Sequence, residues 1–468
     1  MQAHKSRELA LTAALAALVM ALPARADDAR FNFGGYGRVG FSYDGEGGQC
    51  HRSQVVPFGP RLTEGNYLEL DFGYRPYTGR EAQVRTLVTL ALGDQFFHYD
   101  GEWDTRMAIR QAFVEVEDLF GTGLFAWVGS RMWRGDDIYL LDFWPMDDLN
   151  TLGGAVGWKQ GKTELHLHWG VNRLGEQYQH QVFQGRVPFQ AQMRDGPDPF
   201  FGATTFEVLD RQRTILAMRA EQRYGGDDGA LGVKIRLYGE FHYLPDGQRT
   251  DEQDLDLKLP LPDDRGWMLG VQVGLWNFGP RAHLNTWLRY ASGLAAYDEL
   301  AVPYGVNRDS RAVDADEVRI AVSGNYEMDA FAVMFGGYAR LFWDADVNEA
   351  DFDDRQEAAF AVRPMLRLGM FTPGVEASMQ ISRPNGLDPQ TDRQDVARVT
   401  QLALIPALTL DDDAGSYSRP QIRFIYAVSL LNQAALDRYS VRDPRSTEDV
   451  VHFVGVRAEW WFGRGGGY

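Results

Sequence analysis

Apolar side chains alternate with charged and aromatic ones, at a period of two residues, from one end of this chain to the other. In 233–243, Val233, Ile235, Leu237, Gly239, Phe241 and Tyr243 fall on one face, against Lys234, Arg236, Tyr238, Glu240 and His242 on the other. In 164–171, Leu165, Leu167, Trp169 and Val171 oppose Glu164, His166 and His168. Leu68, Leu70 and Phe72 oppose Tyr67, Glu69 and Asp71, and Ile422, Phe424 and Tyr426 oppose Arg423. A helix turns 100° per residue and scrambles such sets. A strand with one apolar face keeps them apart. Two architectures satisfy the pattern: a sandwich whose polar faces meet bulk water, and a membrane barrel whose apolar face meets lipid. Alternation alone leaves both open.

Other features tilt the choice toward a closed, membrane-spanning antiparallel barrel. The run Gly225-Gly-Asp-Asp-Gly229 is a turn signal between the alternating segments 214–222 and 232–243. Elsewhere the connections are long and acidic, notably 173–212, 248–264, 298–318 and 343–358. Short turns at one rim and long loops at the other are how spanning barrels are built. Aromatic residues make up 13% of the chain, and Trp287, Tyr290, Trp343, Trp460 and Phe462 sit where strand ends are expected, suiting interfacial girdles. No low-complexity linker divides the sequence, so one large barrel accounts for its length. Hydrocarbon cannot hydrate backbone amides, so a spanning sheet must close on itself.

The first residues read as an export leader. Lys5 and Arg7 precede an apolar run from Leu9 to Leu22, and Ala24-Arg-Ala26 is a small-x-small cleavage site. The run falls short of the ~20 residues of a spanning helix. Residues 1–26 are therefore expected to be removed, leaving 27–468 as a single barrel domain. Lys5, Arg7, Arg25 and Glu8 leave with the leader, taking the net charge from −18 to −20. Nucleic acid is excluded as a partner, because a phosphate backbone needs a basic face. Cys50 is the single cysteine, so neither an intrachain disulfide nor a cysteine metal site can form.

Five segments carry a family resemblance: Phe31 to Gly40, Asn66 to Gly73, Trp127-Val-Gly-Ser-Arg-Met-Trp-Arg-Gly-Asp-Asp-Ile-Tyr-Leu-Leu-Asp-Phe-Trp144, Ser418 to Arg423, and Ala458 to Phe462. In order and interval they resemble the maltoporin family of carbohydrate-selective outer-membrane porins, with 127–144 the most specific block and about 175–260 matching poorly. The resemblance implies a homotrimer of 18-stranded barrels, each with a third loop folded inward as a constriction, passing maltodextrin-like oligosaccharides without a cofactor or metal. It assigns Tyr36, Tyr67, Tyr417 and Trp461 to an aromatic slide. Trp103 would reach in from a neighbouring subunit. A polar track would comprise Arg38, Glu69, Arg110, Asp137 and Asp142, with Trp144 at the constriction. A pore for sugars needs both rows, since sugar C–H faces stack on rings while hydroxyls take charged partners. Alternation groups the same residues: Tyr67 with Glu69 and Asp71, Tyr417 with Arg419 and Arg423, Trp461 with Arg457 and Glu459.

The chain departs from the family pattern in places. Gly135 stands where the family has a constriction arginine, with Arg134 one position off. Tyr417 replaces a larger tryptophan, Pro145 follows Trp144, the second cysteine of the family's first-loop disulfide is missing, and Gly463 to Tyr468 extend past the terminal aromatic Phe462. Asp344-x-Asp346-x-Asn348 begins like a calcium loop but has Glu349 where glycine is needed and Arg355 at the twelfth position. His166 and His168 share a strand face and read as lumen residues, and no HExxH, nucleophile elbow or phosphate loop occurs. Two alternatives remain at this level: a general-diffusion porin lacking a sugar site, and a secreted all-β carbohydrate-active enzyme with paired carboxylates.

Overall fold

The computed structural model describes residues 30–462 except 45–47, 49, 51, 94–95, 99–104, 176–177, 187–202, 252–253, 255, 300, 347–353, 385, 388–390 and 412–413. The leader, Trp103, Asn348, Glu349 and the tail beyond Phe462 lie outside the described residues.

Eighteen antiparallel strands form one closed sheet. They are β1 (Phe31–Tyr43), β2 (Tyr67–Thr78), β3 (Gln83–Gly93), β4 (Arg106–Leu119), β5 (Leu124–Ser130), β6 (Leu152–Gln160), β7 (Thr163–Asn172), β8 (Arg213–Gly225) and β9 (Gly232–Leu244). Then come β10 (Asp264–Trp276), β11 (His283–Gly293), β12 (Asp316–Glu327), β13 (Phe331–Trp343), β14 (Arg355–Leu366), β15 (Gly374–Arg383), β16 (Ala397–Ile405, continuing past Pro406 as Ala407–Thr409), β17 (Gln421–Leu431) and β18 (Val450–Phe462). Each strand pairs with its sequence neighbours. The sheet closes where β18 pairs with β1, Trp461 facing Tyr36. Closure leaves no free edge, as a spanning sheet requires. Tight turns join β2–β3, β4–β5, β6–β7, β8–β9, β10–β11 and β12–β13, while the connections at the opposite rim are long. The 225–229 signal forms the β8–β9 turn, with Asp228 at φ 52°.

The period-two code holds on the outer wall. Leu237 is 56% exposed and Trp169 63%, while Arg236 between the apolar positions of β9 is 7% exposed and faces inward. Exposed apolar side chains and buried charges invert the soluble arrangement and match a lipid-facing wall around a polar interior.

The interior is not uniformly polar, and there the sequence reading is corrected. Trp287, expected in an interfacial girdle, is buried on the inner face, in one cluster with Tyr238, Met268, Met334 and Tyr338. These apolar residues seat the inward loop 131–151, whose Ile138, Leu140, Leu141, Phe143, Met146 and Leu149 join the same cluster. Each such burial is worth roughly 1.5–3 kcal/mol, enough to hold a loop that would otherwise float in water. Two inward glycines make room for it. A Cβ at Gly336 would lie 2.3 Å from Ile138 Cγ2, and one at Gly270 would lie 2.8 Å from Met146 Cγ. The first loop folds inward as well: Phe58 stacks on Phe143 with ring centroids 4.0 Å apart.

Candidate functional site: a ring-and-ion cavity at the constriction

Strand register sets the pattern of the site. On the inner face, Tyr36 of β1 lies opposite Trp461 of β18 and Glu69 of β2. Two residues on, Arg38 lies opposite Glu459 and Tyr67. Since directly opposed residues share a face, ring and charge alternate along each strand and across the β1–β2 pair, while β18–β1 sets ring beside ring (Trp461, Tyr36) and ion beside ion (Glu459, Arg38). Tyr36 and Tyr67 have ring centroids 6.1 Å apart. Arg110 joins them through a β-bulge: Thr89 pairs with Gln111 and Leu90 with Ile109, so Arg110 is the extra residue. A bulge re-aims a side chain, here toward Glu69, at 2.8 Å, and the Tyr67 hydroxyl.

The inward loop supplies the opposite wall. A two-residue ladder, Trp133–Arg134 against Asp148–Leu149, closes its neck. A single 3-10 turn, Tyr139–Leu141, forms its tip, and Asp142 follows at φ 50°. The guanidinium of Arg134 lies 4.1 Å from the centre of the Trp144 ring, and its Nε is 2.5 Å from Asp148 Oδ1. Arginine thus reaches the constriction from position 134. At 135 a side chain would displace the Asp147–Arg236 pair, because a Cβ there would lie 2.0 Å from Asp147 Oδ1 and 2.3 Å from Arg236 Nη1.

One cavity of about 560 Å³ is lined by Tyr36, Arg38, Tyr67, Glu69, Arg110, Asp137, Asp142, Trp144, Tyr417 and Trp461. Those are the ten expected site residues that lie within the described part of the chain. Tyr417 arrives by an unexpected route. It sits with Arg419 in the β16–β17 connection, not on a strand, because β17 starts only at Gln421. It reaches inward from the turn, its ring 5.5 Å from that of Tyr139.

Eight further residues line this cavity, among them Arg61 and Tyr139, which the sequence reading did not place at the site. Arg61 comes from the first loop, where no alternation marks it. It donates to the Tyr36 hydroxyl at 2.5 Å and lies 3.8 Å from Asp142 and 3.4 Å from Glu459. Tyr139 was visible inside the 127–144 block as an extra ring without a role. Its hydroxyl donates to Glu459 at 2.7 Å and accepts from Arg419 of the β16–β17 connection and Arg423 of β17.

Electrostatics differ among the loop carboxylates. Burial acts to raise Asp142, but Arg61, Arg38 and Arg134 outweigh it and hold the group below the usual range. Asp136 is likewise held low against burial by Arg236 and Lys234. Asp137 goes the other way: burial pushes it up to about 6, helped by Asp142 and Asp136 and only partly countered by Arg61. A raised carboxyl is neutral below its pKa, so lowering the pH from 7.5 to 5 removes one negative charge from the constriction. Reversal potentials in a KCl gradient should show cation preference falling over that range. Asp137→Asn should flatten the profile, and an unchanged slope in that variant would assign the effect elsewhere.

The LamB porin family model matches residues 31–462, from the first barrel strand to the last. Among solved structures, the chain is similar to the outer membrane channel DcaP of Acinetobacter baumannii, at 11% identity over 94% of this chain and 100% of that one, with a TM-score of 0.45. A BenF-like porin from Pseudomonas fluorescens Pf-5 is similar at 11% identity over 93% of this chain and 98% of that one, with a TM-score of 0.45. OccK1 (OpdK) of Pseudomonas aeruginosa is similar at 10% identity over 92% of this chain and 97% of that one, with a TM-score of 0.43. With a closed 18-stranded barrel narrowed by an inward loop, and a family match running the length of that barrel, the chain belongs to the LamB porin family of outer-membrane channels.

Proposed function

We propose that this porin passes oligosaccharides, gripping them weakly between the rings of Trp461, Tyr36 and Tyr67 and the ionic groups of Arg38, Glu69, Arg110 and Asp142. The observation that carries this reading is the set of rings and ionic groups that alternate along β18, β1 and β2 within one cavity. A pyranose is amphipathic, so each sugar unit meets a ring on one side and a hydrogen-bonding charge on the other. Repetition of the motif lets a chain slide from one contact to the next with no deep trap, which conduction requires. Maltodextrin-like chains are the class implied by the family resemblance. Transport here involves no bond cleavage, hence no enzyme activity. Export by a leader cleaved after Ala26, assembly as a homotrimer, and entry of Trp103 into a neighbour's pore complete the proposal.

Planar-bilayer current in the presence of a panel of neutral oligosaccharides tests it. Graded block by malto-oligosaccharides is expected. Trp461→Ala should raise the half-blocking concentration about tenfold, the loss of roughly 1–1.5 kcal/mol of ring contact, while the channel still conducts ions. No block by any member of the panel would leave a general-diffusion porin in its place.

A further inference from the structure

Away from the slide, the inner wall of the loop-side vestibule carries an in-register row of like charges. Arg289 of β11 pairs with Arg319 of β12, which pairs with Arg340 of β13. Directly opposed like charges repel, so carboxylates must hold the row together. Asp298 lies 2.9 Å from Arg289 and Arg319 and 3.5 Å from Arg340. Glu317 lies 3.2 Å from Arg289 and 3.0 Å from Arg319, and also contacts Arg340. Glu357 is divided between Arg340 at 3.7 Å and Arg355 of β14 at 3.4 Å. Arg438, from the β17–β18 connection, bonds only to neutral oxygens among the described residues: Val55 O at 2.5 Å and Ser382 Oγ at 2.9 Å.

Among the described residues, the ion-pair contacts of these five guanidiniums are with three carboxylates, and the excess lies at Arg355 and Arg438. These two line a cavity of about 520 Å³ between the first loop and the wall, which Glu357 also lines. Other described acids nearby have partners of their own, though Glu240 also lies within electrostatic reach of Arg289. Glu240 contacts His242 at 2.7 Å and Tyr238 at 2.6 Å, Glu299 accepts the Asn150 amide at 2.8 Å, and Asp354 accepts the Asp344 amide at 3.3 Å. A basic recess thus opens inside a protein whose net charge is −18.

We infer that Arg355 and Arg438 form an anion subsite in the vestibule, which takes a phosphate or carboxylate carried by an oligosaccharide. Two guanidiniums can share the oxygens of such a group through charge-assisted bonds. Position in the vestibule means that an acidic sugar is concentrated before it meets the rings. This rests on the oligosaccharide reading above.

The test compares block by a malto-oligosaccharide with block by the same oligosaccharide bearing one phosphate, added from the loop side in 0.1 M KCl. A single uncompensated charge at such range gives the phosphorylated form about a tenfold advantage, shrinking at 1 M salt. Arg438→Gln should erase the advantage and Arg438→Lys restore most of it. Glu357→Gln, which removes a competing carboxylate, should enlarge it. Equal block by both sugars, or an advantage that survives Arg438→Gln, would overturn the subsite even while neutral block upholds the sugar channel. Absence of any block would instead remove the underlying reading. Inorganic phosphate competing at equal concentration would reassign the recess to the free ion and overturn the sugar-borne ligand.

Discussion

Replacing Glu459 by glutamine is expected to destabilise the barrel by about 3–5 kcal/mol, the cost of stripping one partner from a buried ion cluster. Glu459 is 2% exposed. Its carboxylate lies 2.8 Å from Arg419, 2.5 Å from Arg423 and 3.4 Å from Arg61, and it accepts the hydroxyls of Tyr139 at 2.7 Å and Tyr36 at 3.0 Å. Three elements converge on it: the first loop through Arg61, the inward loop through Tyr139, and the β16–β17 connection through Arg419. Glutamine keeps the shape but removes the ion-pair partner of Arg419 and Arg423, leaving Arg61 with Asp142 at 3.8 Å. Two readouts should therefore move together. The urea midpoint for unfolding from lipid vesicles should fall, and oligosaccharide block should weaken at least tenfold as Tyr139 and Asp142 lose their anchor. A variant as stable as the parent, with unchanged block, would refute the view that this carboxylate pins the constriction.

A methyl group at Gly336 should displace the inward loop from its seat. The added Cβ would lie 2.3 Å from Ile138 Cγ2, closer than any real contact, and 3.5 Å from the Val322 carbonyl oxygen, which is tolerable. The barrel wall is hydrogen-bonded on both sides of Gly336 and cannot yield, so the loop moves toward the pore axis. Overpacking of this kind costs about 1–3 kcal/mol. Gly336→Ala is expected to lower single-channel conductance and to weaken block at least fivefold. Adding Ile138→Ala removes the offending methyl, leaving Cβ atoms 3.7 Å apart, and should restore both values. Failure of that rescue would show that the loop is not seated through this contact.

The sequence reading and the structure agree on the outer wall for a simple reason. Lipid tolerates no charge and the lumen demands it, so every spanning segment must write a period-two code into its own residues. Leu165, Leu237 and Ile422 could be assigned to the outside without knowing any neighbour. The same local logic put Tyr67 with Glu69, and Trp461 with Glu459, on one inner face. The inner half of the code is less faithful. Trp287 reads like any strand aromatic, and only the loop packed against it makes its inward burial favourable.

Residue order along each segment sets the strand: its span, its two faces, and the charge of each. Which strands lie side by side, and where the loops come to rest, depends on the folded chain as a whole. Arg61 and Tyr139 meet Tyr36 and Glu459 across sequence separations of 25 and 320 residues, distances over which no local periodicity carries information. Tyr417 enters the cavity from a turn, where side-chain direction is set by the chain path and not by a pleat. Closing the sheet brings β1 against β18, and that single pairing converts scattered rings and ions into one continuous surface.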